Sequence, residues 1–335
     1  MSDRRKLPQL DGHNMTCGGG FETWLQYVDG FELRHFCAFE LINDKRGLAC
    51  LTDFHRKLVE AAVGNGFGVV NEGLHYRASR DWGELIGFSK EALEEINIRG
   101  IEFYKDFARE YETPETPMIV GGVIGPRGDA YNVGRTPDAA EAEDYHSEQI
   151  LTFKRAGADV VTAATFSSVE EAIGLARAAK AAGMPVVISF FVAKGGKLKG
   201  GETLEEAIVA VDAATGDAPA YYMVNCTHPT EFSPGMTDGD WTKRLGGFMP
   251  NAVAMETLDL CKLGHLEDGD PKELGGQMAD LARRFPHINV WGGCCGTDGR
   301  HIGEISRQVG EVRRQMGAGQ GSAWSAKLPI GPAEV

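Results

Sequence analysis

The chain has 335 residues, of which 42% are hydrophobic and 24% charged, and a formal net charge of −14. That is the composition of a globular protein with a sizeable core, and no run approaches the roughly 18 consecutive apolar residues of a membrane span. The negative charge repels phosphate backbones and the one basic cluster, Arg4-Arg5-Lys6, is short, so neither nucleic acid nor a membrane is an expected partner.

The first residues, MSDRRKLPQLDG, carry no apolar segment of a secretory signal, and a cytoplasmic location is expected. Seven cysteines, an odd count, then read as reduced thiols available for metal binding or catalysis. A first strand is expected within residues 8–20, where LPQLDGHNMTCGGG has weak strand character, and residues 23–50 read as an irregular loop. From about residue 53 short apolar runs alternate with longer amphipathic stretches, the pattern of repeated β/α units. Strands are predicted at 68–70, 118–125, 158–165, 185–192, 220–226, 248–254 and 288–295, all short and rich in β-branched or aromatic residues.

Helices are predicted between them at about 89–112, 136–158, 168–183, 203–216 and 270–286, with a second long loop at 227–247. Ser89, Thr136, Ser168 and Thr203 suit N-caps, and Gly157, Gly183 and Gly216 stand where helices end. Eight parallel strands with alternating helices favour a closed (β/α)₈ TIM barrel over an open sheet. The expected organisation is one α/β barrel domain over residues 1–317 with elaborated rim loops, and a Gly- and Pro-containing tail over 318–335. A homo-oligomer is compatible with the sequence.

Cys226 ends the sixth predicted strand and Cys294-Cys295 end the eighth, which puts all three on the C-terminal rim, where barrel active sites lie. Three thiolates without the short CxxC spacing of closed structural sites suit a catalytic Zn²⁺ with one open position. A substrate thiol bound there becomes a thiolate at neutral pH, whereas a free thiol, with a pKa near about 8.5, stays mostly protonated. Cys37, Cys50 and Cys261 read as small buried hydrophobes, and that reading stays open for the other cysteines too. Adjacent Cys294 and Cys295 can reach one ion only if the strand has ended in a turn, which Gly292, Gly293 and Gly296 permit.

The segments YYMVNCTHP and WGGCCGTDGRHI resemble the two most diagnostic motifs of the homocysteine S-methyltransferase family. The similarity extends through GGVIGPRGDAY, EAEDYHSEQI, GADVVTAATFSSVEEAI and VVISFFVAKGGKLKGGETLEEAI, nearly the whole chain in family order. The resemblance implies a (β/α)₈ barrel, Cys226, Cys294 and Cys295 as zinc ligands, and transfer of a methyl group from a sulfonium, quaternary ammonium or methyl-folate donor to homocysteine or a related thiol. The implied partners are a small-molecule thiol and a methyl donor, and no side chain is expected to act as acid or base beyond the metal-activated thiol. Glu22, Glu72, His75, Tyr76, Asn225, Gly292 and Gly293 are the substrate-binding candidates, the two glycines through backbone approach to ligand. Trp24, Tyr27, Tyr76, Trp82, Phe166 and Phe191 could form an aromatic pocket for a cationic donor.

Two departures from the family pattern bear on the acceptor. Gly18 stands where the family has an acid at the first strand, with Asp11 as a displaced equivalent, and Ala164 stands where an acid after the fourth strand holds the homocysteine amino group. Leaving a buried ammonium unpaired costs roughly 3 to 5 kcal/mol, so another acid, Glu22 or Glu72, takes over or the thiol is a different molecule. The alternatives are a non-catalytic barrel that binds a thiol or amino acid, and a metal-free cysteine enzyme in which His228 is the base nearest in sequence; His146 is a further orienting candidate.

Overall fold

The computed structural model of the protein describes residues 7–131, 134–255, 257–260 and 263–317. Eight parallel strands close on themselves in sequential order: β1 (Met15–Cys17), β2 (Gly68–Asn71), β3 (Met118–Ile124), β4 (Val160–Phe166), β5 (Val186–Phe190), β6 (Tyr221–Asn225), β7 (Leu245–Met249) and β8 (Val290–Trp291). Met15 opposite Val290 joins the last strand to the first. The helices are α1 (Phe21–Tyr27), α2 (Lys45–Val63), α3 (Arg80–Leu85), α4 (Lys90–Tyr111), α5 (Ala139–Ala156), α6 (Val169–Ala182), α7 (Leu204–Thr215), α8 (Pro229–Phe232), α9 (Thr257–Leu260), α10 (Pro271–Arg284) and α11 (Gly299–Met316). The expected (β/α)₈ barrel is the fold.

Side chains alternate across each strand, so a barrel strand feeds two cores. One alternate set, which includes Met15, Cys17, Val70, Ile119, Val160, Val187, Tyr221, Met223, Met249 and Val290, packs inside the barrel. The other set, with Val69, Val161, Ile188, Val224 and Phe248 among it, packs against the apolar faces of the helices. Following the inward set toward the C-terminal ends of the strands reaches Thr162 and Asn225 within β4 and β6 and Glu72 and Cys294 just beyond β2 and β8, and all four line one cavity.

The helix boundaries follow local chemistry. Ser89, Ser168 and Thr203 accept hydrogen bonds from the first-turn amides of α4, α6 and α7, and Gly157, Gly183 and Gly216 end α5, α6 and α7 in left-handed conformation. Thr136 is not a cap. Asp138 caps α5, because its carboxylate and Glu141 form a reciprocal box that a threonine followed by Pro137 does not offer.

Three boundaries shift from the sequence reading. β7 runs 245–249 instead of 248–254, since Pro250 ends the ladder and its early residues Gly246 and Gly247 carry no strand signature. Those glycines reflect crowding, as a Cβ on Gly246 would stand 2.4 Å from the Tyr221 ring. Residues 23–50 hold most of α1, two 3₁₀ turns and the start of α2, and β8 pairs over two residues only. The RRK cluster, Cys261 and the tail from Ala318 lie outside the described residues. No helix among the described residues is long and apolar enough to cross a membrane.

Candidate active site

The three thiols meet. One sulfur each from Cys226, Cys294 and Cys295 lies within 4.8 Å of the other two, and no histidine, aspartate or glutamate among the described residues joins the group. The Cys226 and Cys294 sulfurs are in disulfide contact, with Cα atoms 5.5 Å apart. Two-electron reduction of that contact returns two thiols to the triad. Around a tetrahedral Zn²⁺ with Zn–S near 2.3 Å, sulfurs stand about 3.8 Å apart, so the reduced triad fits such an ion with one position left over. An all-sulfur donor set is soft and suits zinc rather than magnesium or calcium.

Residues 68 apart in sequence converge because β7 lies between their strands and its outlet binds both. Cys226 N–H donates to the Met249 carbonyl (3.1 Å) and Cys294 N–H donates to the Pro250 carbonyl (2.7 Å). Asn251 Nδ2 donates to the Cys226 carbonyl (2.9 Å), and Ala252 N–H donates to the Cys295 carbonyl (2.9 Å). The segment 249–252 is thus a backbone strap across the two cysteine turns.

Cys226 itself is left-handed at φ 57°, and Thr165 at the end of β4 is left-handed at φ 65°, a costly state for a β-branched residue. Asn225 holds both turns. Its Oδ1 accepts from Thr165 N–H (2.9 Å) and Ser189 Oγ (2.7 Å), and its Nδ2 donates to Thr165 Oγ1 (2.8 Å). Three of its amide contacts hold the turns, while Asn225 also lines the cavity.

The triad opens into a cavity of about 440 Å³ walled by Phe21, Tyr27, Phe36, Tyr76 and Tyr131 as well as by charged groups. Glu72 is 5% exposed, and burial pushes its carboxyl up to about 7 while the Thr162 hydroxyl, donating to Oε2 at 2.6 Å, opposes the shift. Glu22, in the first turn of α1, is also raised to about 7 by burial, with its own backbone N–H and Arg77 pulling the other way. Arg77 donates to Asp129 (2.8 Å) and lies 4.1 Å over the Trp82 ring. At the mouth His265 Nε2 is 2.8 Å from Glu267. Four carboxylates against one guanidinium and one imidazole leave the lining acidic, which favours a cationic ligand.

Of the sequence candidates, Glu22, Glu72, Tyr76, Asn225, Gly293 and the three cysteines line the cavity. His75 does not. Its buried ring packs on Phe153 and Tyr104, Nε2 is 3.1 Å from the Asn97 carbonyl, and burial pulls its pKa down to about 4. His228 Nδ1 caps α8 and contacts Thr230 Oγ1 (2.8 Å), and the residue lies outside the cavity lining. His146 is buried against Glu171 at 3.0 Å.

Gly292 and Gly293 both stand where a side chain would clash, and Gly293 lies in the cavity lining. A Cβ on Gly292 would stand 2.3 Å from the Cys17 carbonyl oxygen, and one on Gly293 2.3 Å from Thr297 Oγ1. Among the aromatic candidates only Tyr27 and Tyr76 reach the lining, since Phe166 is fully buried and Trp24, Trp82 and Phe191 pack on Phe54, Arg77 and Tyr131. Phe36, Arg77, Asp129, Tyr131, Thr162 and Met249 line the cavity without having been singled out as site residues, although Asp129 and Tyr131 lie in the segment GGVIGPRGDAY and Thr162 in GADVVTAATFSSVEEAI.

An acid at position 18 is excluded by crowding. Gly18 has φ +69°, and its Cβ would stand 2.3 Å from Met249 Sδ and 2.5 Å from the Gly293 carbonyl oxygen. Asp11 does not replace it, because it is exposed and lies before β1, at the opposite end of the barrel.

A family model described as homocysteine S-methyltransferase matches residues 17–309. The chain belongs to the homocysteine S-methyltransferase family. This is a family of methyltransferase enzymes, and the matched residues include every site residue described above. The chain is 27% identical over 224 residues to the methionine synthase of Mycobacterium leprae (strain TN), covering 64% of this chain and 18% of the relative. It is 26% identical over 326 residues to the methionine synthase of Mycobacterium tuberculosis (strain ATCC 25618 / H37Rv), covering 91% of this chain and 25% of the relative. A quarter or less of those relatives' length is therefore represented here. Among solved structures, the oxidized form of the homocysteine methyltransferase MmuM from Escherichia coli superposes with a TM-score of 0.68 at 16% identity, over 88% of this chain and 94% of that one. The metallated form gives a TM-score of 0.66 at 16% identity over 88% and 95%. At this identity the superposition shows a shared fold.

Proposed function

We propose that this homocysteine S-methyltransferase family member transfers a methyl group from a small cationic donor to the thiol of homocysteine or a related thiol, with Zn²⁺ held by Cys226, Cys294 and Cys295. The observation that carries this reading is three sulfurs within 4.8 Å of one another at the C-terminal rim of the barrel, facing a cavity of about 440 Å³. Zn²⁺ bound there supplies a Lewis acid that keeps a substrate thiol ionised at neutral pH. In the reaction one C–S bond forms as the donor's C–S⁺ or C–N⁺ bond breaks, its electron pair stays with the leaving heteroatom, and the acceptor's thiol proton goes to solvent.

The chain's residues supply position and environment. Asn225 and the 249–252 strap fix the cysteine turns, which sets the line of approach for the displacement. Tyr27, Phe36, Tyr76 and Tyr131 present aromatic faces and edges to a cationic donor and exclude water from the reacting atoms. A donor that leaves as a neutral molecule needs no general acid, in keeping with a thiol cluster that no histidine among the described residues joins.

The test is mass-spectrometric detection of a methylated thiol after incubating reduced, zinc-supplemented protein with homocysteine and betaine, S-methylmethionine, dimethylsulfoniopropionate or S-adenosylmethionine in turn. A methylated acceptor with one of them is the expected result. Binding of thiol with turnover of none of these donors would favour a non-catalytic barrel.

A further inference from the structure

On the side of the cavity away from the thiols, Glu72 is a carboxylate without a countercharge. It is 5% exposed, the Thr162 hydroxyl donates to Oε2 at 2.6 Å, and no other hydrogen bond or cation among the described residues reaches it. Its position is built. A Cβ on Gly121 of β3 would stand 2.5 Å from Glu72 Oε2 and 3.1 Å from its Cβ, so the carboxylate as placed uses the room beside a glycine and an alanine there would shift it. Glu22 is a different case, because Arg77 already acts on its charge. The titratable groups that feel its charge, Cys17 of β1, Tyr104 of α4 and Tyr221 of β6, are of its own sign when ionised, which leaves the Thr162 hydroxyl as the one group among the described residues that favours its ionisation.

A buried carboxylate that faces a cavity and lacks a partner is completed by a ligand that brings a cation. We propose that Glu72 is the specificity residue by which this chain recognises the ammonium group of its acceptor thiol, so that the acceptor is a short aliphatic thiol bearing a primary amine. The inference rests on the S-methyl transfer reading, in which the thiol end of the same molecule lies at Cys226, Cys294 and Cys295. Ala164 explains why the carboxylate comes from β2. It lies two residues past Thr162 on the same inward face and lines the same cavity, where a methyl side chain offers no charge. The acid that the family carries at that position on β4 is here supplied across the barrel mouth by β2, with Gly121 giving it room.

The experiment is calorimetric binding of homocysteine and of its desamino analogue γ-mercaptobutyrate to reduced, zinc-loaded protein, for the wild type, Glu72→Gln, Gly121→Ala and the double variant E72Q/A164E. Wild type is expected to bind homocysteine at least tenfold tighter than the analogue. E72Q and G121A should lose roughly 10- to 100-fold in affinity for homocysteine while binding the analogue as wild type does, and E72Q/A164E should recover most of the preference. Unchanged analogue binding also reports that each variant is folded at the site. A preference for homocysteine that survives E72Q, or a wild type that binds both thiols equally, overturns the assignment and leaves S-methyl transfer standing. Wild type that binds neither thiol overturns both.

Discussion

The two sides of the barrel mouth are built by different means. Around β6, β7 and β8 the backbone carries the site, with four main-chain groups of residues 226, 294 and 295 bonded to the segment 249–252. Around β2, β3 and β4 the site depends on single side chains: a glutamate resting on a glycine face, a threonine hydroxyl, and an alanine where a longer side chain would reach the same space. A scaffold held by peptide groups fixes the chemistry of the thiols, while one held by individual side chains can change what it recognises without disturbing that chemistry.

If that division holds, the largest effect comes from the sulfur side. Cys294→Ala should lower methyl transfer roughly 100-fold or more in a product assay, because a free thiol at pH 7 is only a few per cent ionised. Thermal unfolding should move little by comparison, and a variant that keeps most of its activity would contradict a shared role for the three sulfurs. Asn225→Ala comes next. It strips Thr165 and Ser189 of their buried partner, at a cost of about 2–4 kcal/mol in denaturant unfolding, and should weaken metal retention about 10- to 100-fold.

On the carboxylate side the effect is read in pH. Glu72 is raised from 4.5 to about 7 by burial, so the folded chain binds more protons than the unfolded chain between those values. Stability of the ligand-free wild type relative to Glu72→Gln should therefore fall as pH rises from about 4.5 to 7 and level off above about 8. The drop should be on the order of 1–3 kcal/mol in paired unfolding curves, and a flat difference would mean that the carboxyl is not held in a low-dielectric site. The smallest effect belongs to the aromatic wall. Tyr27→Leu should raise the KM for a cationic donor about fivefold, whereas Trp82→Leu, outside the lining, should leave that KM unchanged.

Sequence showed the sulfur side more clearly than the other, for a physical reason. Cysteines at strand ends, with glycines on both sides of Cys294-Cys295, announce a turn that can aim two neighbouring thiols at one point, and the strand pattern puts them on the rim. What the pattern could not show was the strap. Asn251 and Pro250 act through backbone groups and a side-chain amide that only the closed barrel brings to the cysteines. Among the acids, Glu22 and Glu72 were both plausible from position, and only burial and the absence of a nearby guanidinium separate them.

Misplaced boundaries have the same origin. β7 begins on Leu245-Gly246-Gly247, residues that read as a loop because their small size serves packing against Tyr221 and Met223 and not strand propensity. His75 read as a site residue because it follows β2, yet its ring turns away from the cavity and packs against Gly100 of α4. Periodicity identifies which strand end a residue belongs to. It does not say which way the chain bends after the last ladder bond.

The central claim is that Cys226, Cys294 and Cys295 together hold one Zn²⁺, and elemental analysis of reduced, zinc-dialysed protein tests it most directly. About one zinc per chain in wild type and close to none in Cys226→Ala, with the variant still folded by circular dichroism, is the predicted result. Wild type that remains metal-free under reducing conditions, or a Cys226→Ala variant that retains a full equivalent, would contradict it.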